Sequence, residues 1–377
     1  MRLPITGMGA VACVGNGVEN VFANLCAGRG GPNGLRGFDR EKFGAGHLFE
    51  IDDRPELGRD VPGRATEFLL TAVAQAANDA GLGDRLDDVP ILVGTGLREL
   101  RSLELWWCDG AKFAPDRLHF GTALRERFGA TDTHTFSNAC SASLYALAFG
   151  ADLLELGEAD TVIVAGVDSV TTSMFGLADR VQPVPPDRVL PFDRKRTGTI
   201  LGEGAAAVVL RRDTAAETVH GVLRSVAVNC DAYHTTAPDL DGIVGAIRRS
   251  HELAGVRPDD VDLVLLHGTG TPLNDQTEAR AFIEVFGDDA AGPLLTGIKS
   301  MTGHTSGSAG VLSLIVALRA LATGSVPPIT GVDDPIEEVA GLRLVLDEAA
   351  AGDLSTAQVH GFGFGGVNAV AIVEAAR

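Results

Sequence analysis

"SNACSASLYALAFGAD", residues 137–152, sets Cys140 among small residues just ahead of a run of good helix formers. The thiol admits two readings. Free cysteine is among the most buried residue types and usually behaves as a small hydrophobe. A thiol at a helix start also gains thiolate character from the helix dipole and the unbonded N–H groups, the condition of a nucleophile. The run that follows, "SLYALAFGADLLELGEA", has an apolar face so broad that its spacing predicts a helix buried nearly all round.

Outward from this stretch, helical and strand signals alternate in the manner of a mostly parallel, covered sheet. "TEFLLTAVAQAANDAGL" (66–82) predicts a helix ending at Gly81, and "VPILVGTG" (89–96) a short strand running into glycines. "DTVIVAGVDSV" (160–170) predicts a buried strand, while "GEGAAAVVLRR" (202–212) and "VHGVLRSVAVNCDA" (219–232) predict neighbouring strands around a turn. The second half repeats the pattern loosely, through "VDLVLLHGTG", "DQTEARAFIEVFG", "PLLTGIKS", "AGVLSLIVALRALATG", "LRLVLDE" and "VNAVAIVEA". No clear sequence repeat accompanies it, so an internal duplication is a suspicion at this level. The proline-rich piece "VQPVPPDRVLPFD" (181–193) predicts a lid or rim outside the sheet.

A chain of 377 residues with 45% hydrophobic and 5% aromatic content predicts two domain-sized units, or one large duplicated α/β body built from Ala, Val, Leu and Ile. Five scattered cysteines with no CxxC pair argue against a disulfide framework or a zinc site and suit a reducing compartment. The formal charge of −19 opposes nonspecific nucleic-acid binding. No signal-peptide core and no run suited to a membrane span stand out, which predicts a cytoplasmic protein.

Chemistry belongs at the glycine-rich junctions, where loops on a rigid scaffold carry function. Four stand out: "SNACSAS", "LLHGTGTPLNDQTEA", "GIKSMTGHTSGSAG" and "HGFGFGGVNAV". Taken singly, His267 and His304 are each structural or catalytic, Lys299 is a surface lysine or a functional one, and Asp275 and Glu278 suit a first helical turn. "GFGFGG" alone is a tight turn. Taken together they meet the parts list for acyl transfer: a thiol, two imidazoles for a second thioester carbonyl, a lysine, and backbone N–H groups for an oxyanion.

These four segments resemble the β-ketoacyl-acyl carrier protein synthases of the thiolase fold, most closely the elongating, decarboxylating type with a Cys-His-His site. "PFDRKRTGTILGEGAAAVVL" (191–210) and "DAYHTTAPD" (231–239) add to the match, which spans nearly the whole chain in order. The resemblance implies a thiolase-like α/β fold, two similar halves in a five-layered αβαβα body. Residues 1–213 would carry the nucleophile and 214–377 both histidines. It implies acyl loading onto Cys140 from a carrier-protein thioester, then decarboxylation of a malonyl-type extender and C–C bond formation. His267 and His304 would serve decarboxylation. Lys299 would tune the field, with Glu278 as its ionic partner and Asp275 in support. The N–H groups of Cys140 and Phe364 would form the oxyanion hole. Thr269 and Thr271 match positions that bind the phosphopantetheine arm, and Phe362 and Phe364 line the substrate, Phe364 also as a gate. No metal and no bound cofactor are implied, the substrates riding on the phosphopantetheine of acyl carrier protein. The assembly implied is a homodimer, or a heterodimer with a related subunit.

The chain is shorter than typical elongating members, mainly before Cys140 and ahead of "PFDRKR". The segment with Arg59 and Arg64 holds no dense basic cluster, so docking of an acidic carrier would fall to Arg188, Arg194, Lys195 and Arg196, unless these form an ordinary solvated loop. Two other functions fit the same motifs less well. One is an acyltransferase without decarboxylation, which would not need both histidines and Lys299. The other is a noncatalytic chain-length partner, which would lack Cys140.

Overall fold

The computed structural model describes residues 1–37, 39–54, 59–182, 184–213 and 218–376. Ten principal strands follow in chain order: β1 (Leu3–Ala12), β2 (Ile91–Gly94), β3 (Thr133–Phe136), β4 (Thr161–Asp168), β5 (Gly204–Arg211), β6 (Gly221–Cys230), β7 (Leu263–Leu265), β8 (Leu294–Thr296), β9 (Thr356–Gly363) and β10 (Val367–Ala375). Five helices pack on them: α1 (Arg64–Asp79), α2 (Ala142–Glu155), α3 (Leu240–Ala254), α4 (Pro272–Phe286) and α5 (Ala309–Thr323).

The strands run in the order β8-β7-β9-β10-β6-β1-β5-β4-β2-β3. Split between β6 and β1, this is one topology written twice: β1-β5-β4-β2-β3 and β6-β10-β9-β7-β8. The suspected duplication is therefore real in three dimensions although the residues have diverged. Hydrophobic pattern is kept by burial, whereas residue identity is free to change. α1 covers the first half on one side and α3, backed by α4, covers the second. α2 and α5 lie between the halves, each touching strands of both, which makes the five layers of the expected αβαβα body. The expected division at 213/214 borders residues 214–217, which lie outside the described residues.

Three expectations change. The sheet is mixed rather than mostly parallel: β2 pairs in parallel with β3 and β4, and β7 with β8 and β9, but β1, β5, β6 and β10 pair antiparallel. β5 and β6 are not partners, because β1 pairs with both and lies between them. Strands covered on both faces read as continuous apolar runs whatever their direction, so pattern alone could not assign pairing. Of "LRLVLDE", Arg343–Leu344 alone forms a strand, beside β8.

The two central helices are not buried alike. Twelve residues of α5 are buried, and Ser306–Thr323, with mean hydropathy 1.5, passes for a membrane span by composition, yet 78% of it lies inside the fold. α2 buries Leu144, Leu147, Ala151 and Leu154 but leaves Phe149 36% exposed, beside Phe136 of the edge strand β3. In the proline-rich piece, Pro183 lies outside the described residues, while Val189 and Phe192 are buried. Pro191 and Asp193 are buried as well, whereas Val184 and Arg188 are exposed.

Candidate active site

Each half ends one of its central helices at the same place. β3 leads into a helical turn, Ala139–Ser141, that opens α2, and the matching turn Ser306–Ser308 opens α5. Ala139 and Ser306, at equivalent positions, both take a positive φ of 49°. L-residues seldom hold this conformation, which is kept where surrounding structure over-determines it, commonly at functional sites. Ser141 Oγ pins the first turn, donating to the carbonyl of Gly361 at 2.9 Å or of Val367 at 2.6 Å. Gly363 permits this approach: a Cβ there would sit 3.3 Å from the Cys140 nitrogen. The sequence read "GFGFGG" as a turn; in the fold Phe362 and Gly363 end β9, and the turn proper follows at Gly365 and Gly366, with φ of 86° and 77°.

The backbone N–H groups of Phe364 and of Cys140 itself favour the ionised form of the thiol. These are the two residues whose N–H groups the family resemblance assigns to an oxyanion hole. His304 arrives from the loop before α5 with Nε2 3.0 Å from the sulfur. His267 follows β7, and its ring meets that of His304 edge to face at 5.4 Å between centroids. Nitrogen and sulfur atoms of Cys140, His267 and His304 all lie within 4.8 Å of one another.

Hydrogen bonding fixes which ring nitrogen carries the proton. The N–H of Ser306 donates to His304 Nδ1 at 3.2 Å. Lys299 Nζ donates to the His267 carbonyl and lies 3.4 Å from His267 Nδ1. With both Nδ1 atoms accepting, both Nε2 atoms bear hydrogen. Burial and the neighbouring Lys299 ammonium hold both imidazoles well below the usual histidine range, so they are neutral donors. A Cys-His-His set could in principle ligate a metal, but ligation needs nitrogen lone pairs. Here the lone pairs are taken and N–H groups face inward, an arrangement for an oxygen anion.

Burial pushes the Cys140 thiol up to about 11, against the depression expected from the helix start. The Lys299 charge and the Phe364 N–H oppose the rise without cancelling it. Desolvation of the anion outweighs the half-charge dipole of the helix start here. Lys299 is itself brought down to about 8 by burial, with Glu278, Cys140 and Asp275 opposing.

Glu278 corrects a second expectation. Its carboxylate makes no ion pair with Lys299 among the described residues. It accepts instead the N–H groups of His267 at 2.6 Å and Gly268 at 2.8 Å, and bonds to Asn274 and His360. It acts on Lys299 as a charge at a distance. Asp275 likewise takes the N–H groups of Phe192, Thr269 and Gly270, with Arg196 Nε at 3.8 Å. Both carboxylates fold the "HGTGTP" turn, and the hydroxyls of Thr269 and Thr271 meet within it at 2.9 Å. Phe362 is buried with its ring on His267, at 5.8 Å, whereas Phe364 stands 53% exposed at the mouth.

The basic residues divide. Arg196 turns inward to the carbonyls of Asp193 and Pro272, which removes it from the docking set. Arg64 is buried among Asp53, Asp60 and Glu203. Arg194 pairs with Asp334 at the surface, and Arg188 and Lys195 are exposed. The sequence reading missed Asp168, buried at the end of β4, which accepts from Thr95 and from the N–H groups of Gly96, Leu97 and Gly307 and so ties the two halves beside the thiol. A charged residue closing an apolar strand was the available signal. It also missed Gln358 and His360, which lie on the strand just ahead of the "GFGFGG" turn reading.

Residues 130–216 match the model of the β-ketoacyl synthase N-terminal domain, and residues 220–333 that of the C-terminal domain. A 3-oxoacyl-[acyl-carrier-protein] synthase 2 of Synechocystis sp. is 30% identical, over 97% of this chain and 96% of the relative. The Coxiella burnetii protein of the same name is 29% identical over 408 aligned positions, 99% of this chain and 98% of the relative. That alignment is longer than the chain, in keeping with its expected shortening. The solved ishigamide ketosynthase/chain length factor superposes with a TM-score of 0.89 at 31% identity, over 100% of this chain and 99% of that one. The chain belongs to the β-ketoacyl synthase family, C–C bond-forming acyltransferases of the thiolase fold.

Proposed function

We propose that the chain condenses an acyl group held on Cys140 with a malonyl-type thioester held on acyl carrier protein, in fatty-acid or polyketide synthesis. The observation that carries the reading is the pair of inward Nε2–H groups on His267 and His304, each fixed by a donor on its Nδ1. In the first half-reaction the Cys140 sulfur attacks the acyl thioester, the carrier's thiol leaves with the proton, and the tetrahedral oxyanion rests on the N–H groups of Cys140 and Phe364. In the second, the extender carboxylate leaves as carbon dioxide and its electron pair becomes an enolate. The enolate oxygen takes hydrogen bonds from His267 and His304. Its carbon then attacks the acyl carbonyl, and collapse of the adduct returns Cys140 and leaves a 3-oxoacyl carrier. No redox equivalent enters, so the cycle needs no bound cofactor.

Thr269 and Thr271, in the turn beside the thiol, suit the phosphopantetheine arm, and Phe362 and Phe364 border its end. Carrier docking falls to Arg188, Arg194 and Lys195. The relatives' names supply the carrier as partner, and the solved neighbour is a ketosynthase with a chain length factor. The edge strand β3, whose Phe136 meets the half-exposed Phe149 of α2, suits a second copy or a related subunit. All five cysteines are unpaired, which supports a reducing, cytoplasmic setting.

Intact-mass spectrometry with acyl and malonyl carrier proteins tests the assignment. Cys140→Ala should take up no acyl group. His304→Ala should load and fail to condense, losing about 10²–10⁴-fold in rate. Acyl label on the Cys140→Ala protein overturns the reading. Transfer without carbon dioxide release would favour the non-decarboxylating acyltransferase.

A further inference from the structure

A buried line of polar side chains runs from Glu278 to α3. His360 Nδ1 lies 2.8 Å from Glu278 Oε1, His360 Nε2 lies 2.6 Å from Gln358 Nε2, and Gln358 Oε1 lies 2.6 Å from His251 Nε2. His360 and Gln358 alternate on one face of β9, and His251, on α3, has its ring against Phe286. All three are buried. One ordering of hydrogens satisfies the line. An ionised carboxylate only accepts, so His360 Nδ1 bears the proton and its Nε2 accepts from the Gln358 amide. The Gln358 carbonyl then accepts from His251 Nε2, and burial holds His251 neutral. Each donor points toward Glu278.

Buried polar networks of this kind are costly unless fully satisfied, and a satisfied one fixes its members. Its end member here also carries the N–H groups of His267 and Gly268 and sets the charge seen by Lys299. We propose that His360, oriented by Gln358 and His251, is a positioning residue that holds the Glu278 carboxylate in place, and through it the Lys299 ammonium and the His267 turn. This role rests on the ketosynthase reading above. The charged or titratable groups acting on Lys299 are Glu278, Asp275, Cys140, His267 and His304; those on Glu278 are His360, Asp275 and Lys299. Displacing the Glu278 carboxylate weakens a charge that opposes the fall in the Lys299 pKa.

The test is the pH dependence of malonyl-carrier decarboxylation by the full chain. Wild type should lose activity on the alkaline side as Lys299 deprotonates, near pH 8. In His360→Leu that limb should move to lower pH by at least about half a unit. Gln358→Leu should move it likewise without touching Glu278, because it frees His360 to turn a lone pair toward the carboxylate. His360→Asn, whose amide can still donate to Glu278, should keep the wild-type limb. Should one leucine variant fail to fold by circular dichroism, the other carries the same prediction. Coincident limbs in wild type and a folded leucine variant overturn the proposal, as does an equal shift in His360→Asn or a wild type with no alkaline limb. A wild type that neither loads acyl groups nor decarboxylates would instead refute the ketosynthase reading.

Discussion

Lys299→Met should stabilise the protein while ending its decarboxylation activity. The Lys299 ammonium is buried, and its pKa falls from 10.5 to about 8 in the fold. At about 1.4 kcal/mol for each pH unit, holding that charge in the folded state at neutral pH costs about 3 kcal/mol relative to the unfolded chain. Methionine keeps the apolar stem. It leaves the His267 carbonyl and Nδ1 without their donor, a loss of about 1 kcal/mol, so the net gain at pH 7 is about 2 kcal/mol. The sign reverses with pH. Between about 8 and 10.5 the unfolded chain keeps a proton that the folded chain has lost, so wild-type stability rises with pH through that window and the advantage of the variant disappears. Urea unfolding followed by circular dichroism at pH 7 and pH 10 measures both terms. A variant less stable than wild type at pH 7, or an advantage equal at both pH values, refutes the reasoning.

Glu203→Gln should have the opposite effect. Glu203 is fully buried and binds Arg64 through two contacts of 2.6 Å, so the substitution leaves a buried guanidinium short of its counter-charge and costs about 3 kcal/mol. An unchanged guanidinium chloride midpoint would sink that account. Arg98 holds a positive φ of 59° and has a buried Nε without a partner among the described residues. Arg98→Gly should therefore gain about 0.5–1 kcal/mol, seen as a higher melting temperature, and a lower one would show that the side chain has work elsewhere.

Much of the site was legible before any folding. Cys140, His267, Lys299, His304 and Phe364 come from four separate glycine-rich or small-residue segments, Lys299 and His304 sharing one, and residue type with turn chemistry is a local property that sequence carries. The division of the core into apolar strands and helices was legible for the same reason. What sequence left open depends on who faces whom. The pairing of β1 with both β5 and β6, and the exposed side of α2 at Phe149, follow from how two covered half-sheets stack, and every strand in them reads alike. Charge was the other gap. Glu278 looked like a partner for Lys299 by type, but the fold gives its oxygens to backbone N–H groups and His360, since a buried carboxylate must satisfy several acceptor sites at once. The helix start promised a more acidic thiol, and burial reversed that promise. The sequence by itself determined the candidate site residues and the class of fold, because these are written in residue type and periodicity. Which groups ionise, and which nitrogen of each imidazole faces the thiol, was decided by tertiary structure alone, because desolvation and hydrogen-bond partners exist only once distant segments have been brought together.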